Sequence, residues 1–124
     1  LSKEMAKIDW ENKTAVQIKN LVRGLNPIMG AYSFLNDKKI KFWKVQVLTE
    51  NELLEKFEDL KEYKGHLKGV QEGTVLFSDD KNGLFIKAKE GILQVLEIQG
   101  ENSKRMLTTD FLRGTKIDVG SIFE

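Results

Sequence analysis

His66 is the only histidine in the chain. A general base or a metal site built on it would need a cysteine or a carboxylate placed with it in a recognisable motif. The chain has no cysteine and no such carboxylate, so His66, beside Gly65, reads as a solvated loop residue. The pair Asp79-Asp80 lies just before Gly83, where aspartates serve the backbone of a turn. Neither G-x-G-x-x-G nor G-x-x-x-x-G-K-[ST] occurs, so the loops that cradle phosphates in nucleotide-binding enzymes are absent. No catalytic constellation and no cofactor site is read from these residues.

The basic residues are more promising. Lys38, Lys39, Lys41 and Lys44 cluster in one stretch, Lys87 and Lys89 alternate in another, and Lys104, Arg105 and Arg113 gather near the end. In a strand, period 2 puts Lys39 and Lys41 on one face, and Lys87 and Lys89 likewise. If those faces adjoin, they form a stripe that grips phosphates with little reading of bases. The other reading is a solvated exterior whose edge lysines discourage aggregation. Trp43, Phe42, Phe34 and Tyr32 could stack on unpaired bases, but they fall among strand residues that also need a core.

Composition limits the alternatives. A chain of 124 residues, 40% hydrophobic and 31% charged, suits one domain, read here as residues 1–124, with one site or one surface. No apolar run approaches the roughly 20 residues of a membrane span, and no signal peptide is read. The lack of cysteine suits a reducing cytoplasm. A chain starting at Leu1 is expected to be a piece of a longer protein. The net charge of +1 is unevenly spread: residues 49–69 hold six acids and four lysines, leaving 16 basic against 13 acidic residues elsewhere. The body is mildly basic, which permits a polyanionic partner.

The elements that must position these charges follow from periodicity. Thr14 with Gln17 matches a capping box, and Ile18, Leu21, Val22 and Leu25 recur at helical spacing. Gly24 is expected to close that helix in the left-handed conformation, and Pro27 bars its continuation. The period then falls to 2. Ala31 to Leu35 and Lys39 to Leu48 read as a hairpin around Asn36-Asp37-Lys38. In "KIKFWKVQV" Ile40 and Phe42 are out of phase with Val45 and Val47, so a β-bulge is expected near Trp43. Gly73 to Phe77, Leu84 to Ala88 and Ile92 to Gln99 read as three more strands. Thr108 or Thr109 is expected to cap a short helix closed by Gly114, and Trp10 to pin the incoming segment.

These elements predict a mainly β fold: a five- to six-stranded barrel of the oligonucleotide/oligosaccharide-binding type, with an N-terminal helix and a short C-terminal helix. Residues 49–69 interrupt it. Leu53, Leu54, Phe57 and Leu60 share one face of a helix-period segment, so this stretch reads as an insertion carrying an amphipathic helix or a mobile loop. Its acidity argues against contact with a polyanion.

The blocks "LSKEMAKIDW", "LVRGLNPIMGAYSFLNDKKIKFWKV", "GTVL", "GILQVLEIQ" and "KRMLTTDFLRG", in this order, resemble the C-terminal domain of methionyl-tRNA formyltransferases. The resemblance runs from about Leu1 to Val119 apart from residues 49–69. It implies a barrel that follows a Rossmann-like catalytic domain in cis and holds initiator Met-tRNA. The co-substrate 10-formyltetrahydrofolate belongs to that upstream domain, as do the family's catalytic asparagine, histidine and aspartate, whose motifs do not occur here. The fragment itself is therefore expected to bind no cofactor and no metal and not to catalyse. The parent is expected to be a cytoplasmic monomer without membrane attachment.

Basic or polar positions that match the family blocks, and so become candidate RNA contacts, are Lys3, Lys7, Arg23, Asn26, Lys39, Lys41, Lys44, Lys104, Arg105 and Arg113. Ile28 departs from the tryptophan that many relatives carry after the proline, and residues 49–69 are longer and more acidic than usual. Related barrels follow formyltransferase-type domains that act on sugar nucleotides or hydrolyse formyltetrahydrofolate. An accessory barrel with no RNA to hold is the alternative, and a plain protein-interaction domain a third.

Overall fold

The computed structural model describes residues 3–58 and 67–124. His66 and Leu60 lie outside them. A 3-10 turn at Lys3–Ala6 precedes helix α1 (Ala15–Leu25), the hairpin β1 (Ala31–Leu35) and β2 (Lys38–Leu48), and helix α2 (Glu50–Lys56). After a second 3-10 turn at Leu67–Gly69 come β3 (Val75–Asp79), β4 (Gly83–Lys87), β5 (Ile92–Gln99), β6 (Met106–Leu107) and helix α3 (Thr108–Gly114). The strands form one antiparallel sheet in the order β1-β2-β5-β4-β3, with β6 paired to β5. The fold is mainly β, as expected, but the sheet does not close into a barrel.

The C-terminal tail spans the opening instead. Phe34 and Glu124 exchange backbone hydrogen bonds of 2.9 and 2.8 Å, Phe123 N–H donates to the Gly73 carbonyl at 2.8 Å, and Val75 N–H donates to Ser121 at 2.8 Å. The tail thus joins the free edge of β1 to the start of β3. Phe123, 1% exposed, packs edge-on to Phe42 at 5.5 Å and lies 6.3 Å from Trp10. Trp10 does pin the incoming segment: its Nε1 donates to Ser33 Oγ at 2.9 Å, and Ser33 in turn donates to the Glu124 carbonyl at 3.1 Å.

Helix α1 starts at the expected capping box, with Thr14 Oγ1 accepting from Gln17 N and Gln17 Oε1 from Thr14 N, and it buries Ala15, Ile18, Val22 and Leu25. Its end differs from expectation. Gly24 lies inside the helix, and the chain leaves through Asn26 with extended backbone, φ −80° and ψ 138°. Steric conflict with the ring of Pro27 pushes the preceding residue to that region, so no left-handed glycine is needed. Helix α3 likewise ends in extended backbone, at Thr115, with Gly114 its last residue. Neither Thr108 nor Thr109 caps it: Leu107 stands at the cap with no side-chain bond. The hydroxyl of Thr108 is buried with no hydrogen-bond partner among the described residues.

The hairpin turn has two residues, Asn36 and Asp37 at φ 50° and 65°, and Lys38 already pairs with Leu35. The bulge lies where the phase slip places it, with register shifts on either side of Lys44. Strand β4 explains its unbroken apolar run by being covered on both faces. Leu84 and Ile86 join the main core, while Phe85 joins a second cluster with Leu53, Leu54 and Phe57. Helix α2 therefore docks through its apolar face, and Phe57 stacks on Phe77 at 4.1 Å. It begins at a capping box the sequence reading did not use, Thr49 with Glu52.

Candidate nucleic-acid interface

Strand alternation divides the aromatics of the first hairpin between two layers. Ala31, Ser33 and Leu35 of β1 are buried, and Tyr32 and Phe34 point outward, half-buried. Opposite them on β2, Ile40 and Phe42 enter the core and Lys39 and Lys41 lie outward, in register with Phe34 and Tyr32 respectively. The result is a row of cations over rings. Lys7 Nζ lies 5.6 Å from the Phe34 centroid, Lys39 Nζ 4.2 Å from Tyr32, Lys41 Nζ 5.8 Å from Trp43, and the Arg105 guanidinium 4.9 Å from Trp43. Each such contact at an exposed site contributes about 0.5–1 kcal/mol and fixes where the charge sits.

Alternation puts Trp43 on this outer face, opposite its core neighbour Phe42, and the bulge keeps Lys44 outward after it while Val45 returns to the core. The indole is only 7% exposed, because other elements close over it. Its Nε1 donates to Gln99 Oε1 at 2.9 Å, Asn26 Nδ2 donates to its carbonyl at 2.8 Å, and Gly30, at φ +73°, lies against the ring. Arg105 completes the cover while its Nε donates to Glu97 Oε1 at 2.9 Å. A longer contact of 3.5 Å joins Arg105 to Asn26. Beside Trp43, a groove of about 450 Å³ opens between α1 and β2, with Lys19, Arg23 and Lys44 among its lining residues.

The expected site residues thus separate. Lys7, Lys39, Lys41, Arg23 and Lys44 share the β1–β2 face or its adjoining groove, and none forms an ion pair among the described residues. Arg105 and Asn26 are at the same place but spend their polar atoms on Glu97, Trp43 and each other. Lys104 is exposed next to Arg105 in sequence, and Lys3 opens the first 3-10 turn. Arg113 lies on α3, paired with Asp110 at 2.7 Å, and no described contact joins it to the row. Lys19 was missed, although its spacing of four from Arg23 on α1 places the two on one helix face.

The conditional stripe of four strand lysines does not form. Lys41 pairs with Gln99 at one end of β5, while Lys87 pairs with Ile92 at the other. Seven residues of strand, about 23 Å at 3.3 Å each, separate them. Asp79 is the turn residue its sequence suggested, accepting from the Lys81 and Asn82 backbone amides and the Asn82 side chain. Burial is the largest single influence on its carboxyl and raises the pKa. The hydrogen bonds from Asn82 and Lys81, with the Lys81 charge, outweigh it and hold the carboxyl below its ordinary value.

A family model described as "Formyl transferase, C-terminal domain" matches residues 1–116. A methionyl-tRNA formyltransferase from Ruminiclostridium cellulolyticum is 38% identical over 120 residues, which cover 97% of this chain and 33% of that protein. One from Carboxydothermus hydrogenoformans is 37% identical over 124 residues, covering 100% and 34%. The chain spans about a third of the length of these relatives. Among solved structures, HypX from Aquifex aeolicus in complex with tetrahydrofolic acid matches with a TM-score of 0.63 and 15% identity over 97% of this chain and 21% of that one. That likeness is one of fold. No helix among the described residues is long and apolar enough to cross a membrane.

Proposed function

The chain belongs to the formyl transferase C-terminal domain family, and from that premise we propose that it holds the RNA substrate of a cytoplasmic, monomeric methionyl-tRNA formyltransferase. In this reading residues 1–124 are one domain, downstream of a catalytic domain that binds 10-formyltetrahydrofolate and formylates the methionine of initiator Met-tRNA. The observation that carries the proposal is the row of cations ordered over Phe34, Tyr32 and Trp43 on the β1–β2 face. A-form RNA keeps its base edges in a deep, narrow groove, so lysines on a sheet meet phosphates and shape. Lys7, Lys39, Lys41, Arg23 and Lys44 are the phosphate contacts. Asn26 and Arg105 act indirectly, by holding Trp43 and the loop after α1 in place.

Five phosphate contacts correspond to a salt slope of about −4 in log affinity against log salt, a loss of roughly 10²-fold between 50 and 200 mM. Titrating the chain with initiator tRNA across that range tests this. Reversing charge in Lys39→Glu with Lys41→Glu lowers the slope by about 2 and weakens binding at low salt. RNA affinity indifferent to salt or to this double change removes the proposal and leaves an accessory domain with no RNA to hold as the reading.

A further inference from the structure

Between the loop after α1 and the hairpin lies a notch of about 230 Å³ lined by Ala6, Ile28, Met29, Gly30, Tyr32, Lys39 and Lys41. Its chemistry is that of a planar anionic guest. Tyr32 supplies an aromatic surface, Met29 and Ile28 supply apolar walls, and the two lysines stand at the rim. At that volume it is smaller than the roughly 300–1,000 Å³ of a small-molecule site, and it suits one ring system with a charged group left outside. Ile28 is 93% exposed. Nothing within the described chain uses its side chain, yet it follows Pro27 in a loop anchored at both ends, by Asn26 on the Trp43 carbonyl and by Gly30 against the Trp43 ring.

We infer that this notch receives one unpaired nucleobase of the bound RNA, which lies on Tyr32 beside Ile28 and Met29 while its flanking phosphates meet Lys39 and Lys41. The inference rests on the RNA-holding function above and adds to it that the domain prefers RNA with an unpaired segment over a continuous duplex. The Tyr32 ring is at present faced by the Lys39 ammonium at 4.2 Å. A cation over an exposed ring contributes a factor of about two to five in an equilibrium. A base stacked on an aromatic side chain contributes about five to 150. The base therefore displaces the ammonium, which is released to a phosphate within reach of its flexible stem. A duplex offers no free base to the notch, and its phosphates see only the lysines.

The test uses two RNA hairpins with the same number of phosphates, one fully paired to a blunt end and one carrying four unpaired nucleotides, titrated against the full chain by fluorescence anisotropy. The expected result is about tenfold tighter binding of the probe with the unpaired segment. Ile28→Ala, which removes a solvent-exposed wall without touching the core, and Tyr32→Leu, which keeps apolar volume but removes the ring, each reduce that preference to about twofold or less. The affinity of Ile28→Ala for the blunt probe stays within a factor of two of the wild-type chain's. Thermal unfolding of both variants checks that the fold is retained, and Ile28→Ala keeps the test open if Tyr32→Leu does not fold. Equal binding of the two probes by the wild-type chain, or a preference unmoved by Ile28→Ala, overturns the notch while leaving the phosphate row standing. Failure of both probes to bind overturns the notch and the RNA-holding reading together.

Discussion

Gly24 and Gly30 stand on either side of Pro27, and replacing each by alanine gives opposite results. At Gly30 the backbone has φ +73°, and an added Cβ falls 3.0 Å from two carbons of the Trp43 ring and 3.2 Å from a third. The left-handed conformation costs an alanine about 1–2 kcal/mol. Carbon pairs prefer about 3.5–4.0 Å, so the indole must also move by roughly half an ångström within a site that is already closed, and overpacking of this kind costs about 1–3 kcal/mol. Gly30→Ala is therefore expected to destabilise by about 3 kcal/mol, a fall in Tm of roughly 12 °C for a chain of this size. The shift also loosens the Trp43 bond to Gln99 and the cover provided by Arg105. At Gly24 the backbone is helical and exposed, and nothing lies within 4 Å of the added carbon. Gly24→Ala removes the entropy that glycine loses in a helix and stabilises by about 0.5–1 kcal/mol. Urea unfolding followed by tryptophan fluorescence reads both. If Gly30→Ala unfolds within 0.5 kcal/mol of the parent, or Gly24→Ala loses more than 1 kcal/mol, the account of this loop fails.

Two further outcomes follow from the fold. Phe123→Ala removes a 1% exposed ring at the seam between β1 and β3 and is expected to cost about 3–5 kcal/mol in urea unfolding, with faster hydrogen exchange at the Phe34 amide. Asp79→Ala is expected to cost about 1 kcal/mol at pH 7 by releasing the turn between β3 and β4. Because the folded carboxyl lies below its ordinary value, the wild-type advantage is complete above the ordinary aspartate range. It disappears as pH falls through the lower folded value, which a series of unfolding curves from pH 7 to pH 2 measures.

Much of this fold was legible because local rules and tertiary packing agree. The capping box at Thr14, the strand from Ile92 to Gln99 and the phase slip near Trp43 are all short-range signals that the structure keeps. The misreadings come from elsewhere. Gly24 was assigned to a left-handed cap because a glycine follows a periodic helix, but the constraint Pro27 imposes on Asn26 is stronger. The amphipathic helix expected within residues 49–69 forms at Glu50–Lys56, but its partners Phe77 and Phe85 are remote in sequence and no local signal names them. The tail was not recognised as structural because Phe123 is one isolated aromatic with no period to belong to. Of the site, the hairpin lysines were visible in the pattern, whereas the separation of Lys87 from them depends on strand order, which no local pattern encodes.

The bulge at Trp43 shows how one irregularity serves both layers. Without it, strict alternation from Phe42 would still carry Trp43 outward but would turn Lys44 toward the core and Val45 and Val47 away from it. The extra residue lets Phe42 pack against Phe123, keeps Lys44 exposed, and leaves Trp43 on the outside as a support for Lys41, Arg105 and the loop from Asn26 to Gly30. Each of those elements comes from a different part of the chain, and each touches the indole or its backbone. The Lys41 and Arg105 end of the outer cation row is therefore positioned by a ring that belongs to a core strand. A change that repairs the ladder by deleting Trp43 would leave Lys44 outward and Val45 inward by plain alternation but would remove the ring that Lys41, Arg105 and the loop lean on, so the extra residue is what gives β2 both its core face and a support for the basic face.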